Sequence, residues 1–128
     1  VLEAGYMADE ANSWRDKLLD FVGQALVISA NDPSLYRSFI HGLKYPEQAI
    51  LRDNEKRVYF RVLRELVDGC REEGTVHHSR DREELVADLV ALHRGMLLEW
   101  RIYEGKFDIA ARGIAMAEIL LRGLEKNA

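Results

Sequence analysis

Apolar residues along this chain recur at three- and four-residue steps and hardly ever alternate with polar ones, which predicts helices and gives strands no signal. Ser13 followed by Asp16 marks the first start, because the hydroxyl can cap a free backbone N–H and the carboxylate favours the positive helix end. That helix should run over about 14–30. Asn31-Asp32-Pro33 supplies a second cap with a proline in the first turn, opening a short helix to about Leu43. Tyr45-Pro46-Glu47 repeats the device for a long helix from about 47 to Glu73, ended by Gly74, which accepts the left-handed conformation. After a loop from Thr75 to Arg80, Asp81 with Glu84 forms a capping-box-like pair for a helix from 82 to about 104, stopped by Gly105. Asp108 caps the last helix, from 109 to about 126. The pattern predicts an all-α helical bundle of about five to six helices and a single domain over 1–128, with no internal repeat or low-complexity tract.

The faces of these helices say what they bury. At 100° per residue, Leu85, Val86, Leu89, Val90, Leu92, His93, Met96, Leu97 and Trp100 fall in one arc about 160° wide, which suits a core. A second row on the same helix, Ala87, Ala91, Gly95, Leu98 and Ile102, points elsewhere and carries small residues that permit close approach. It needs a partner of its own. On the last helix Ala110, Ile114, Ala117, Leu121 and Leu124 make one row, while Ile109, Met116, Ile119, Leu120 and Gly123 widen the apolar arc beyond a monomer's needs. Two neighbouring helices with this excess predict an isologous homodimer, with both helices of each chain in a four-helix interface. The alternative is that both simply lie at the centre of a compact bundle.

The 47–73 helix is also broadly apolar, through Leu51, Val58, Tyr59, Phe60, Val62, Leu63, Leu66, Val67 and Cys70, and should cross the middle of the fold. Tyr59, with Phe21, His93, Met96 and Trp100, could line an apolar cavity with a few polar handles. Packed core is the competing reading of such an aromatic and methionine stripe. His93 lies near the centre of its apolar arc, where an imidazole needs a hydrogen-bond partner.

Charge and composition narrow the functions. The 128 residues carry 18 Lys plus Arg against 22 Asp plus Glu, a net charge of -4, with the basic residues dispersed. That argues against a nucleic-acid surface on these residues. A single cysteine, Cys70, makes no intrachain disulfide and fits a reducing, cytoplasmic setting. No apolar run approaches the roughly 18–20 residues of a membrane span. The opening Val1-Leu2-Glu3-Ala4-Gly5 shows no basic region of a secretory signal.

Catalytic and metal patterns are missing. A bundle-borne di-iron site needs Glu-x-x-His, but the residues three before His41, His77, His78 and His93 are Ser38, Gly74, Thr75 and Val90. Adjacent His77 and His78 read as a solvated loop rather than a metal site. No GxGxxG, GxxxxGK[ST], HExxH or GxSxG run occurs, so no enzyme activity, metal or cofactor is expected. Cys70 reads as a buried structural thiol without an activating cation, and Arg52 with Glu55 as a rim ion pair.

Several stretches of the second half resemble one family: Cys70-Arg71-Glu72-Glu73-Gly74-Thr75-Val76, then Asp81 to Leu85, then Leu89 to Trp100, then Gly105-Lys106-Phe107-Asp108-Ile109. Together they look like the ligand-binding and dimerisation domain of TetR-type (tetracycline-repressor-like) transcriptional regulators, nearest the multidrug-efflux repressor branch. The resemblance implies a TetR-type C-terminal regulatory domain, with 1–12 as the end of a connecting helix and the N-terminal helix-turn-helix absent from this chain. It implies a repressor that meets operator DNA only through that absent part, with recognition helices about 34–36 Å apart in the dimer. A small, largely apolar effector would lie against Phe21, Tyr59, Leu63, His93, Met96 and Trp100. The dimer would form through Ala87, Ala91, Gly95, Leu98, Ile102, Met116, Ile119, Leu120 and Gly123. The runner-up is a stand-alone helical dimerisation or protein-interaction module without a ligand.

Overall fold

The computed structural model describes residues 12–32, 34, 37, 54–77 and 79–123. Four helices and no strand occur among them: α1 over Trp14–Ala30, α2 over Asn54–Glu73, α3 over Arg82–Ile102 and α4 over Ile109–Gly123. The fold is all-helical. Most of the short helix expected after Pro33, the first turns expected for the 47–73 helix, Arg52 and Leu124 lie outside what is described, as does the side chain of Glu55, whose backbone belongs to α2. Ser34 and Arg37 are helical, and the Asp32 carboxylate accepts from the Ser34 N–H at 2.9 Å.

The helix ends follow local chemistry with two corrections. Ser13, in extended backbone, accepts from the Asp16 N–H at 3.1 Å, so the predicted cap of α1 forms. The capping box expected at α3 does not: Asp81 occupies the cap position, but its side chain makes no cap hydrogen bond. Glu83 and Glu84 instead place two carboxylates in the first turn, where the helix dipole favours them. Gly74 takes φ 89 and lets the Val76 N–H return to the Cys70 carbonyl at 3.4 Å, which folds Val76 under the helix end into the core. At the end of α3, Tyr103 is the cap, and Glu104 (φ 55) and Gly105 (φ 72) both turn left-handed, so α3 stops at Ile102 rather than about 104. The Gly105 N–H closes the turn on the Trp100 carbonyl at 2.7 Å. The Asp108 carboxylate accepts from the Ala111 N–H at 3.1 Å and starts α4 as expected.

The four helices close a ring, α1 on α2, α2 on α3, α3 on α4 and α4 on α1, and α1 also reaches α3. Leu18, Leu26, Val62, Leu63, Leu66, Val67, Cys70 and Val76 make the fully enclosed centre. Where α1 meets α4, two glycines each face side chains of the opposite helix. Gly23 lies under Ile114 and Ala110, and Gly113 lies under Leu26 and Val22. At the α2–α3 contact the chain adds two ion pairs, Arg64 with Glu83 and Arg82 with Asp68, both at 3.0 Å. Each is half-exposed, so each contributes about 0–1 kcal/mol. Arg15 links α1 to Glu118 of α4 at 3.3 Å.

Candidate functional site

Two places hold the residues singled out above. The first is internal, where α1, α2 and α3 meet. Phe21 on α1 stacks on Tyr59 of α2 with ring centroids 5.5 Å apart, and Tyr59 lies 5.2 Å from the His93 ring of α3. Ser29, two turns along α1 from Phe21, places its hydroxyl 3.2 Å from His93 Nε2. His93 Nδ1 is buried and has no hydrogen-bond partner among the described residues. Burial, with the Arg94 guanidinium adding to it, lowers the imidazole to about 4, so His93 is neutral at pH 7. Burial raises the Tyr59 phenol well above its ordinary range, a shift that Arg94 opposes in part. The cluster is therefore aromatic and uncharged, with one histidine nitrogen held by a serine and the other unpaired.

Leu63 is fully enclosed in the core beside this cluster. Met96 sits one turn beyond His93, buried. Trp100 is held at the far end of α3: its indole N–H donates to the Phe107 carbonyl at 3.2 Å, and its ring covers Gly105. Two turns of helix, about 10 Å, separate it from His93. Phe21, Tyr59 and His93 are thus brought together, while Trp100 serves the turn between α3 and α4.

The second place is the outer face of α3 and α4. Ala87, Ala91, Gly95, Leu98, Ile102, Met116, Ile119 and Gly123 are all exposed, and Leu120 is half-buried against the core. Ile102 and Ile119 leave 61% and 68% of their surface in water. Between the helices runs an open groove of about 440 Å³, lined by Ala91, Leu92, Gly95, Met96, Leu98 and Glu99 from α3, Tyr103 from the turn, and Arg112 and Met116 from α4. Arg112 stands over the Phe107 ring at 5.2 Å. Tyr103, Glu99 and Arg112 were not singled out by periodicity. Arg112 had a signal, lying one turn before Met116 on the same face; Tyr103 had none, because its place follows from the turn.

The remaining candidates resolve simply. Cys70 is buried, and its thiol is pushed up to about 12 by burial first and by Glu73 second, with Arg15 opposing, so it is an unreactive core residue. Among the described residues no group of three or more His, Cys, Asp or Glu side chains is placed to hold a metal ion, and no helix is long and apolar enough to cross a membrane. No family model, no curated protein and no solved structure matches the chain.

Proposed function

We infer that this chain is the effector-binding and dimerisation domain of a TetR-type transcriptional regulator, a repressor that meets operator DNA through a helix-turn-helix outside these residues. The observation that carries the reading is the outer face of the last two helices. α3 and α4 pack on each other and on the core, yet Leu98, Ile102, Tyr103, Met116 and Ile119 still stand in water, and Leu98, Tyr103 and Met116 line the groove between the two helices. Large apolar side chains gathered on one surface mark an interaction site. A second copy burying the same surface is the simplest symmetric solution.

The internal cluster supports the other half of the reading. Phe21, Tyr59 and His93 belong to three different helices, so a small apolar molecule inserted beside them would favour one arrangement of α1, α2 and α3 over another. Such linkage typically couples two sites by about 1–3 kcal/mol, and no bond is made or broken. Ser29 and His93 supply the polar handle.

Sedimentation equilibrium on the chain, followed by a thermal-shift screen with small apolar compounds on the wild type and on Tyr59→Ala, tests both halves. A dimer whose melting temperature rises with a compound, and rises less in the variant, is the expected result. A dimer that responds to no compound reduces the reading to a dimerisation module. A monomer at high concentration removes it.

A further inference from the structure

The polar atoms at the inner cluster share one deficit. Among the described residues the Tyr59 hydroxyl takes part in no hydrogen bond, His93 Nδ1 is buried with no partner, and Arg94, half-buried and next in sequence, makes no ion pair. A phenol and a guanidinium are both donors, and a guanidinium accepts nothing. What the cluster lacks is therefore an acceptor. The imidazole can join the donors: when the Ser29 hydroxyl donates to His93 Nε2, across the 3.2 Å between them, the ring proton lies on Nδ1.

The charge at the cluster has one sign. After burial, Arg94 is the second influence on the ionisation of both Tyr59 and His93, so its guanidinium lies within reach of both rings, and among the described residues no carboxylate acts on either. Drawing a cation out of water costs free energy that a nearby anion restores. The rest of the surroundings is flat and apolar, with Phe21 stacked on Tyr59 at 5.5 Å and Leu63 enclosed beside them. The planar fork of one guanidinium matches the two oxygens of one carboxylate.

We propose that the effector this cluster takes is a small aromatic carboxylate, whose oxygens accept from the Arg94 guanidinium, the Tyr59 hydroxyl and His93 Nδ1 while its ring lies against Phe21 and Tyr59. This rests on the reading of the cluster as an effector site and adds the charge of the ligand and the groups that select it. Ser29, His93 and the carboxylate then form one chain of hydrogen bonds in which each donor has an acceptor, and the unpartnered nitrogen is satisfied.

Isothermal titration at pH 7 with 2-naphthoate and with 2-naphthamide, its uncharged counterpart of nearly the same shape, tests the assignment. Naphthoate should bind at least about tenfold tighter, the scale of a hydrogen bond to a charged group. Arg94→Gln should remove that preference and leave the amide bound as before, whereas Arg94→Lys, which keeps the charge without the fork, should recover part of it. Circular dichroism checks that both variants fold, and an arginine that only supports the fold would not distinguish the two compounds. In the imidazole NMR spectrum, with His93 assigned through His93→Gln, naphthoate should place the ring proton on Nδ1. Equal affinity for the two compounds, lost in Tyr59→Ala, would overturn the proposal and leave the effector reading standing. Naphthoate binding that Arg94→Gln does not weaken would overturn it as well. So would a chain that binds no naphthoate, and there the screen with uncharged compounds described above decides whether the effector reading falls with it.

Discussion

Glu73, at the carboxyl-terminal end of α2, accepts a hydrogen bond from the first backbone N–H of α1, that of Trp14, at 2.9 Å. Its other oxygen takes the Arg15 N–H at 2.7 Å, and the Thr75 hydroxyl donates to the same oxygen at 2.8 Å. A carboxylate from one helix therefore completes the start of another, beside the Ser13 cap. Glu73→Ala should lower stability by about 1–2 kcal/mol, the scale of a lost cap with charged acceptors. Glu73→Gln, which keeps one acceptor oxygen, should recover part of it. The check is the urea midpoint at unchanged slope. If Ala and wild type unfold at the same midpoint, the clamp contributes nothing.

Gly113 and Gly95 should respond to alanine in opposite ways. At Gly113 a Cβ would overlap Leu26 Cδ1, and Leu26 is fully enclosed, so the helices must part. Gly113→Ala should be destabilising by about 1–3 kcal/mol. At Gly95 the space is open, and Gly95→Ala in dilute solution should stabilise the chain by up to about 1 kcal/mol through helix propensity. Thermal melts of both variants decide it, and equal effects of the same sign would contradict the packing described.

How much of this was readable in advance divides along a physical line. Faces and ends are local: the arc holding Leu85, Val86, Leu89, Val90, Met96 and Leu97 is buried, the row from Ala87 to Ile102 is exposed, and Ser13, Gly74, Gly105 and Asp108 act where spacing places them. Partners are not local. Periodicity shows that α4 has an inward face but not that Gly113 meets Leu26 of α1. It shows a capping pattern at Asp81 that goes unused and no sign that Glu73 will cap a helix 59 residues earlier. In the inner cluster, Phe21, Tyr59 and His93 were visible as apolar-face residues of three helices, but Ser29 as the partner of His93 depends on how α1 lies against α3.

His93 should give the stability of the fold a distinct acid limb. The imidazole titrates near 4 in the fold, lowered by burial and then by Arg94, against about 6.5 when unfolded. Between those values the unfolded chain holds the extra proton, so stability falls as pH drops through this window and is unaffected by His93 above it. The gap corresponds to about 3 kcal/mol at full extent. The groups against the ring, Ser29 and Tyr59, stay uncharged throughout. His93→Gln cannot take up the proton, and its urea stability measured from pH 7 to 4 should fall less than that of the wild type by about that amount. Parallel curves would mean that the imidazole titrates normally.

Ile119→Glu separates the monomer's needs from those of an assembly. Ile119 leaves 68% of its surface in water on the outer side of α4, so a glutamate there is solvated and should change the unfolding free energy of dilute chain by no more than about 0.5 kcal/mol. In an isologous dimer the same change occurs twice, placing two carboxylates in a surface that must shed its water, and a buried unpaired carboxylate loses its hydration. The dimer dissociation constant should then rise by about a hundredfold or more, equivalent to about 2.7 kcal/mol or more. Sedimentation equilibrium measures that constant and thermal unfolding measures the monomer. An unchanged dimer with an unchanged melt would place the contact on another face, while a lost melt would mean that Ile119 is part of the core after all.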